Sequence, residues 1–283
     1  MVMKSGIVLE GGSFRGLFTA GALDCLIEND IMFDYGIGVS AGAGNLLNLI
    51  TRQNLRMKNL VQATGKDSYI GFNQIFKCGS FLNLNRMVYE FPYKQFPLDF
   101  EAYDNSKMES EFVVTDASNG KARYIGNIKS HGNLLKTIKA SCSLPFICKT
   151  VKLGKNYYVD GSLADSIPVK RAIDKGCDKI LVILTRRDDE KPTDYSRKSG
   201  YLKLCEKRYP GLLDTIMKRA KVYDKQREYL SELEKEKKVY IIRPTENSIS
   251  RFELDRDKQD AFYQHGYDRM KANLEDFKNF LLV

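Results

Sequence analysis

The stretch Tyr35-Gly36-Ile37-Gly38-Val39-Ser40-Ala41-Gly42-Ala43-Gly44-Asn45-Leu46-Leu47 decides how the rest of the chain is read. A short apolar run is followed by a serine among small residues and then by apolar residues at helical spacing, which predicts strand, tight turn and helix. A serine on a sharp strand-to-helix turn stands clear of its neighbours. The residues flanking it must be small, because the turn is strained and the strand and helix pass close together. The helix N-terminus beneath it favours negative charge near the hydroxyl. Gly38-Val39-Ser40-Ala41-Gly42 alone is equally compatible with a plain glycine-rich turn. The reading therefore depends on whether the chain supplies the other parts a reactive serine needs.

Upstream, Ile7-Val8-Leu9 predicts a buried parallel strand ending at Glu10-Gly11-Gly12. From Ser13 to Ile27 the apolar residues Phe14, Leu17, Phe18, Ala22, Cys25 and Leu26 share one helical face. The second strand, Phe33 to Val39, should lie parallel to the first after a right-handed crossover. Gly11-Gly12 and Ser40 then share the carboxyl edge of the sheet, where open α/β sheets place ligands. At that edge Gly11, Gly12 and Ser13 would present main-chain N–H groups, Ala41 could add another, and Arg15 would bring positive charge.

Downstream, residues 53–99 read as helical or irregular, a cover for the site or one wall of a groove. The runs Glu111–Ala117 and Ala122–Gly126 flank Ser118-Asn119-Gly120-Lys121 and predict a hairpin. Leu134–Ser141 reads as a helix, Asn156–Val159 as a strand stopping at Asp160-Gly161, and Pro168 as the opening of a helix that Gly176 ends. Lys179–Thr185 is an apolar core strand. Composition changes after it, dividing the chain into a catalytic α/β part, 1–185, and a charged part, 186–283, packed on the same body. In the second part Arg186–Lys238 is amphipathic and basic, expected to pack on the core, with a membrane-facing helix as the alternative. Val239–Ile242 reads as a strand and Asp255–Leu281 as a final helix.

The 283 residues carry 45 basic and 36 acidic side chains, a net charge of +9 that suits an anionic surface. No nucleic-acid-binding module is visible, so no nucleic acid is expected as partner. The six cysteines form no C-x-x-C pair and sit largely in apolar runs, which predicts reduced, buried thiols in a cytoplasmic protein. The two histidines, His131 and His265, lie in no ligand-spaced cluster, so neither metal nor cofactor is expected. There is no charged-then-apolar leader and no apolar run near 18 residues, so any membrane contact would be peripheral.

A serine hydroxyl needs a base. His131 sits in a polar turn and His265 in the terminal helix, and both read as ordinary. A shielded carboxylate can serve instead. Asp160 is the candidate, because Gly161 after it allows a sharp turn and close approach of another chain. Two other chemistries fit poorly. A dinucleotide site would need glycine where Ser13 stands and an acidic residue where the second strand ends in Gly38-Val39-Ser40. A histidine-triad hydrolase places its serine after several strands rather than one.

Glu10-Gly11-Gly12-Ser13-Phe14-Arg15-Gly16, Gly38-Val39-Ser40-Ala41-Gly42 and Asp160-Gly161-Ser162, in that order, resemble the three signatures of the patatin-like phospholipase family. Ala140-Ser141-Cys142-Ser143-Leu144-Pro145-Phe146 is similar to the segment preceding that family's aspartate. The resemblance runs from about residue 5 to 185. It implies a three-layer α/β/α fold with a mostly parallel central sheet and, here, a C-terminal helical extension. It further implies a Ser40–Asp160 dyad, an oxyanion hole at Gly11, Gly12 and Ser13, and a lipid or other acyl-ester substrate. Apolar Phe14, Leu46 and Phe146 near the site are compatible with lipid. Ser13 replaces the third glycine of the family's run, which leaves a catalytically weak binding module as an alternative, alongside acyl transfer to an acceptor other than water.

Overall fold

The structure, a computed structural model, describes residues 3–145, 147–194, 199–246 and 248–282, and for 199 and 201 the backbone only. Phe146 lies outside the described residues. The strands are β1 (Ser5–Leu9), β2 (Tyr35–Val39), β3 (Glu109–Asp116), β4 (Ala122–Gly126), β5 (Val151–Leu153), β6 (Asn156–Asp160), β7 (Lys179–Ile183) and β8 (Val239–Ile242). The helices are α1 (Gly16–Glu28), α2 (Ala41–Ile50), α3 (Arg56–Val61), α4 (Phe72–Cys78), α5 (Phe100–Asn105), α6 (His131–Ser141), α7 (Val169–Asp174), α8 (Ser199–Arg208), α9 (Leu213–Lys235), α10 (Arg256–Ala272) and α11 (Leu274–Leu282).

The strands form one sheet in the order β5-β6-β3-β2-β1-β7-β8, with β4 also paired to β3. The run β3-β2-β1-β7-β8 is parallel, whereas β4, β6 and β5 join antiparallel. Side chains alternate across the pleat. Ile7, Leu9, Leu181 and Ile183 face a core shared with α1, α2 and α10, while Val8, Ile37, Val39, Ile180 and Val182 face a core shared with α7 and α9. The result is a mostly parallel sheet covered by helices on both sides, a three-layer α/β/α fold.

Three sequence boundaries differ for local reasons. The N-terminal helix opens with a 3-10 turn, Ser13–Arg15, because Ser13 takes a left-handed φ of 55°. Helix α6 starts three residues earlier than its apolar face, capped by the Ser130 hydroxyl, which accepts from the Asn133 N–H. The terminal helix breaks at Asn273 into α10 and α11.

Three contacts tie the last third of the chain to the rest. Strand β8 extends the sheet beside β7. Helix α10 crosses α1 at near backbone contact: a Cβ on Gly21 would lie 2.0 Å from the Tyr263 carbonyl oxygen, and one on Gly266 would lie 1.9 Å from that of Phe18. The segment preceding α10 lies on the first helical turn, where Phe14 N–H donates to Arg251 O at 3.1 Å.

Candidate active site

Strand β3 brings the two ends of the site together. Its residues Glu111 to Thr115 pair with β4 on one edge. The other edge is shared: β2 occupies it up to Val39 opposite Val113, and β6, running the opposite way, occupies it from Asp160 opposite Val114. Strands β2 and β6 therefore meet carboxyl end to carboxyl end. Ser40 and Asp160 are the residues at the junction.

Ser40 has φ 54° and ψ −121°, a conformation uncommon for a residue with a side chain, between the last residue of β2 and the first of α2. Glycine on both sides makes room for it. A Cβ at Gly38 would fall 2.5 Å from Gly42 O, and one at Gly42 would fall 2.3 Å from Leu9 O. Ser40 Oγ donates to Asp160 Oδ2 at 2.7 Å. The other carboxylate oxygen, Oδ1, accepts from Ser162 N–H at 2.8 Å. Asp160 is completely buried and Ser40 nearly so. Burial pushes the Asp160 carboxyl above its ordinary value, against the hydrogen bonds from Ser40 and Ser162 and the positive charge of Arg219. Gly161 lets the chain graze β3, since a Cβ there would lie 2.2 Å from Val113 O.

The glycine-rich turn after β1 borders this pair. A Cβ on Gly11 would meet Ser40 Cβ at 2.9 Å, and Gly12 backs onto Thr185. Among the described residues, no hydrogen bond engages the main-chain N–H of Gly11, Gly12, Ser13 or Ala41. Arg15 turns elsewhere: its Nε donates to Ile249 O at 2.8 Å and its guanidinium pairs with Glu190 at 2.6 Å. Its charge anchors the turn to the C-terminal part of the chain.

Further residues complete the site without having been singled out for a role in the sequence. Ser141, at the end of α6, accepts the Ser40 N–H at 2.9 Å and donates to Val113 O at 2.7 Å, bracing the serine turn against β3. The small-residue run Ala140–Ser143 was the signal for it. Cys142 borders the dyad; burial pushes its thiol pKa well up, the Asp160 charge adds to that, and contact with the Ser40 hydroxyl works against it. Glu10, 1% exposed, is the hub beneath the glycine turn. It accepts from Arg186 at 2.6 Å, from Tyr223 Oη at 2.8 Å and from Thr185 N–H at 2.7 Å. Nothing in the sequence links these positions before the fold does.

The histidines are engaged away from Ser40. His131 pairs with Asp104 at 2.9 Å and stacks on Phe100. His265 packs on Phe18 and accepts the Thr245 N–H at 3.1 Å. Among the described residues, no group of three or more His, Cys, Asp or Glu is placed to hold a metal ion. The six cysteines are free thiols, four of them buried.

Two family models match parts of the chain. A family model described as patatin-like phospholipase matches residues 7–173. A second, described as a domain of unknown function (DUF6363), matches residues 209–282. The uncharacterized protein YjjU of Escherichia coli (strain K12) is 32% identical over 190 residues, which is 64% of this chain and 52% of that protein. The match thus spans about half the length of that curated relative. The crystal structure of VipD from Legionella pneumophila superposes with a TM-score of 0.55 at 11% identity, over 98% of this chain and 67% of VipD. That likeness is one of fold.

Proposed function

Since the chain belongs to the patatin-like phospholipase family, we propose that it is a serine acyl-ester hydrolase acting on lipid, with Ser40 as nucleophile and Asp160 as base. The observation that carries the reading is the 2.7 Å hydrogen bond from Ser40 Oγ to a carboxylate whose pKa burial has raised. A more basic carboxylate accepts the serine proton more readily.

In this mechanism Asp160 takes the Ser40 proton as Oγ bonds to the ester carbonyl carbon. The carbonyl electron pair moves onto oxygen. The N–H groups of Gly11, Gly12, Ser13 and Ala41 receive that oxyanion. Collapse of the intermediate expels the alcohol, which takes the proton from Asp160. Water then gives a proton to Asp160 and attacks the acyl-Ser40 ester; collapse releases the fatty acid, and Ser40 Oγ takes the proton back from Asp160. Residues 1–185 would supply this chemistry and 186–283 would brace it. The free thiols favour a reducing, cytoplasmic setting.

Labelling with a fluorophosphonate, alongside turnover of short-chain esters and phospholipid vesicles, tests the proposal. The wild type should be labelled at Ser40, and Ser40→Ala should be neither labelled nor active. Labelling that survives Ser40→Ala would assign the chemistry elsewhere. A second reading, a binding module with slow chemistry, draws support from Ser13, which occupies a left-handed φ that favours glycine. A wild type that binds lipid but is neither labelled nor active would favour it. Acyl transfer uses the same first half-reaction and is separated by supplying a lysolipid or glycerol acceptor and following acylated product.

A further inference from the structure

We propose that α4 and its basic surroundings form a docking surface for an anionic phospholipid bilayer. The inference takes from the proposed function only that the substrate resides in a lipid surface. Its evidence is the inverted character of α4. A helix on a globular protein normally buries its apolar face. Here Phe72 and Phe76 are 76% and 90% exposed, Ile75 is exposed beside them, and the one buried side chain is Gln74. The Gln74 amide donates to Ser68 O at 3.0 Å and accepts from Asn83 Nδ2 at 3.1 Å. A polar pin therefore holds the helix while its aromatic side faces outward. Exposed apolar clusters of this kind mark interaction surfaces.

Charge selects the partner. From Ser68 to Tyr89 the chain has no Asp or Glu, and from Ala117 to Val159 it has none against seven Lys and one Arg. Lysines of both segments lie on or near α4. Lys77 is exposed on it, the Lys149 ammonium lies beside Gly79 at its end, and Lys139 sits 5.2 Å over the exposed ring of Tyr89. Exposed aromatic side chains with lysines beside them fit a headgroup layer with excess negative charge. The surface also leads inward. Ring contacts run from Phe72 to Phe81 at 5.6 Å, to Phe252 at 5.9 Å and to Phe14 at 6.3 Å, and Phe14 adjoins Ser13 of the glycine turn. No helix among the described residues is long and apolar enough to cross a membrane, so the contact is peripheral.

The chain contains no Trp, so a single Trp reports its own surroundings. Phe76→Trp and, on the competing basic helix α9, Met217→Trp are made in a Ser40→Ala background, which uncouples docking from hydrolysis. Each is titrated with vesicles of phosphatidylcholine alone or mixed with phosphatidylglycerol. The emission of Phe76→Trp should shift to the blue on mixed vesicles and hardly at all on neutral ones, while Met217→Trp stays unchanged. Adding Lys77→Glu and Lys149→Glu should weaken vesicle binding by on the order of tenfold or more. A shift at Met217→Trp instead, equal shifts on neutral vesicles, or no shift at Phe76→Trp would each overturn the proposal. The last result would leave that face to a protein partner. Ester turnover by the wild type is measured separately, so loss of docking and loss of the hydrolase reading remain distinguishable.

Discussion

Ser40 and Asp160 are 120 residues apart in sequence and 2.7 Å apart in space, because two strands of opposite direction end against each other on one edge of β3. The pair is fixed by consecutive β3 residues, Val113 and Val114, so little loop adjustment is needed to form it. Replacing Asp160 with Asn keeps the shape and removes the proposed base. Turnover of a soluble ester should fall by about 10²–10⁴-fold. Removing a buried charge should also raise the melting temperature, so a lower one would argue that Asp160 is held mainly for stability.

The raised pKa of Asp160 sets a pH dependence. The proposed base must be ionised to act, so kcat/KM should fall as pH drops through a value above the ordinary 3.8. Stability runs the other way. A carboxyl whose folded pKa exceeds its unfolded one binds more protons when folded, so its contribution declines as pH rises from the unfolded to the folded value. Profiles of kcat/KM and of urea midpoint across the acid range check both signs, and Asp160→Asn should flatten this component of each.

Ser13, in the glycine turn, is one of several side-chain-bearing residues with a positive φ. Its φ of 55° favours glycine. Ser13→Gly should gain about 0.5–1 kcal/mol in stability, relief of strain being partly offset by a more flexible unfolded chain. If the side chain also crowds the oxyanion, kcat should rise. Thermal melting and steady-state turnover of the variant decide the two effects separately.

Glu10 and Arg186 form an ion pair that is almost wholly buried. Glu10→Gln leaves the guanidinium without its counter-charge, at a cost of about 3–5 kcal/mol. The double replacement Glu10→Gln with Arg186→Met should cost less than the sum of the two singles. Urea unfolding of all three variants measures the coupling.

Ser141→Ala removes both bonds that brace the serine turn, leaving the buried Ser40 N–H and Val113 C=O without their partner. A loss of about 1–3 kcal/mol is expected, with kcat falling more than KM rises. Ser141→Thr, which keeps the hydroxyl, should recover part of both.

Much of the sheet edge was legible because its residues have few alternatives. Gly38 and Gly42 are demanded by carbonyl oxygens that a methyl group would strike, and Asn119-Gly120 turns with Gly120 at φ 69°. The apolar runs of β1 and β7 are short and uniform, as buried parallel strands are. Residues 53–99 were opaque for a physical reason. Their helices are short, α3 having six residues and α4 seven, so no apolar period can establish itself. In α4 the period is inverted, with Gln74 inside and phenylalanine outside. Strand β5, three residues long, gave no pattern at all. Ser141 and the Glu10–Arg186 pair were hidden because their partners are distant in sequence and depend on the completed fold.

The crossing of α1 and α10 at Gly21 and Gly266 leaves no room for a methyl group at either place. Helix α1 begins directly after the turn that carries Gly12 and Ser13. Prying the two helices apart at position 266, in the last tenth of the polypeptide, would therefore tilt the rod on which those main-chain donors are mounted.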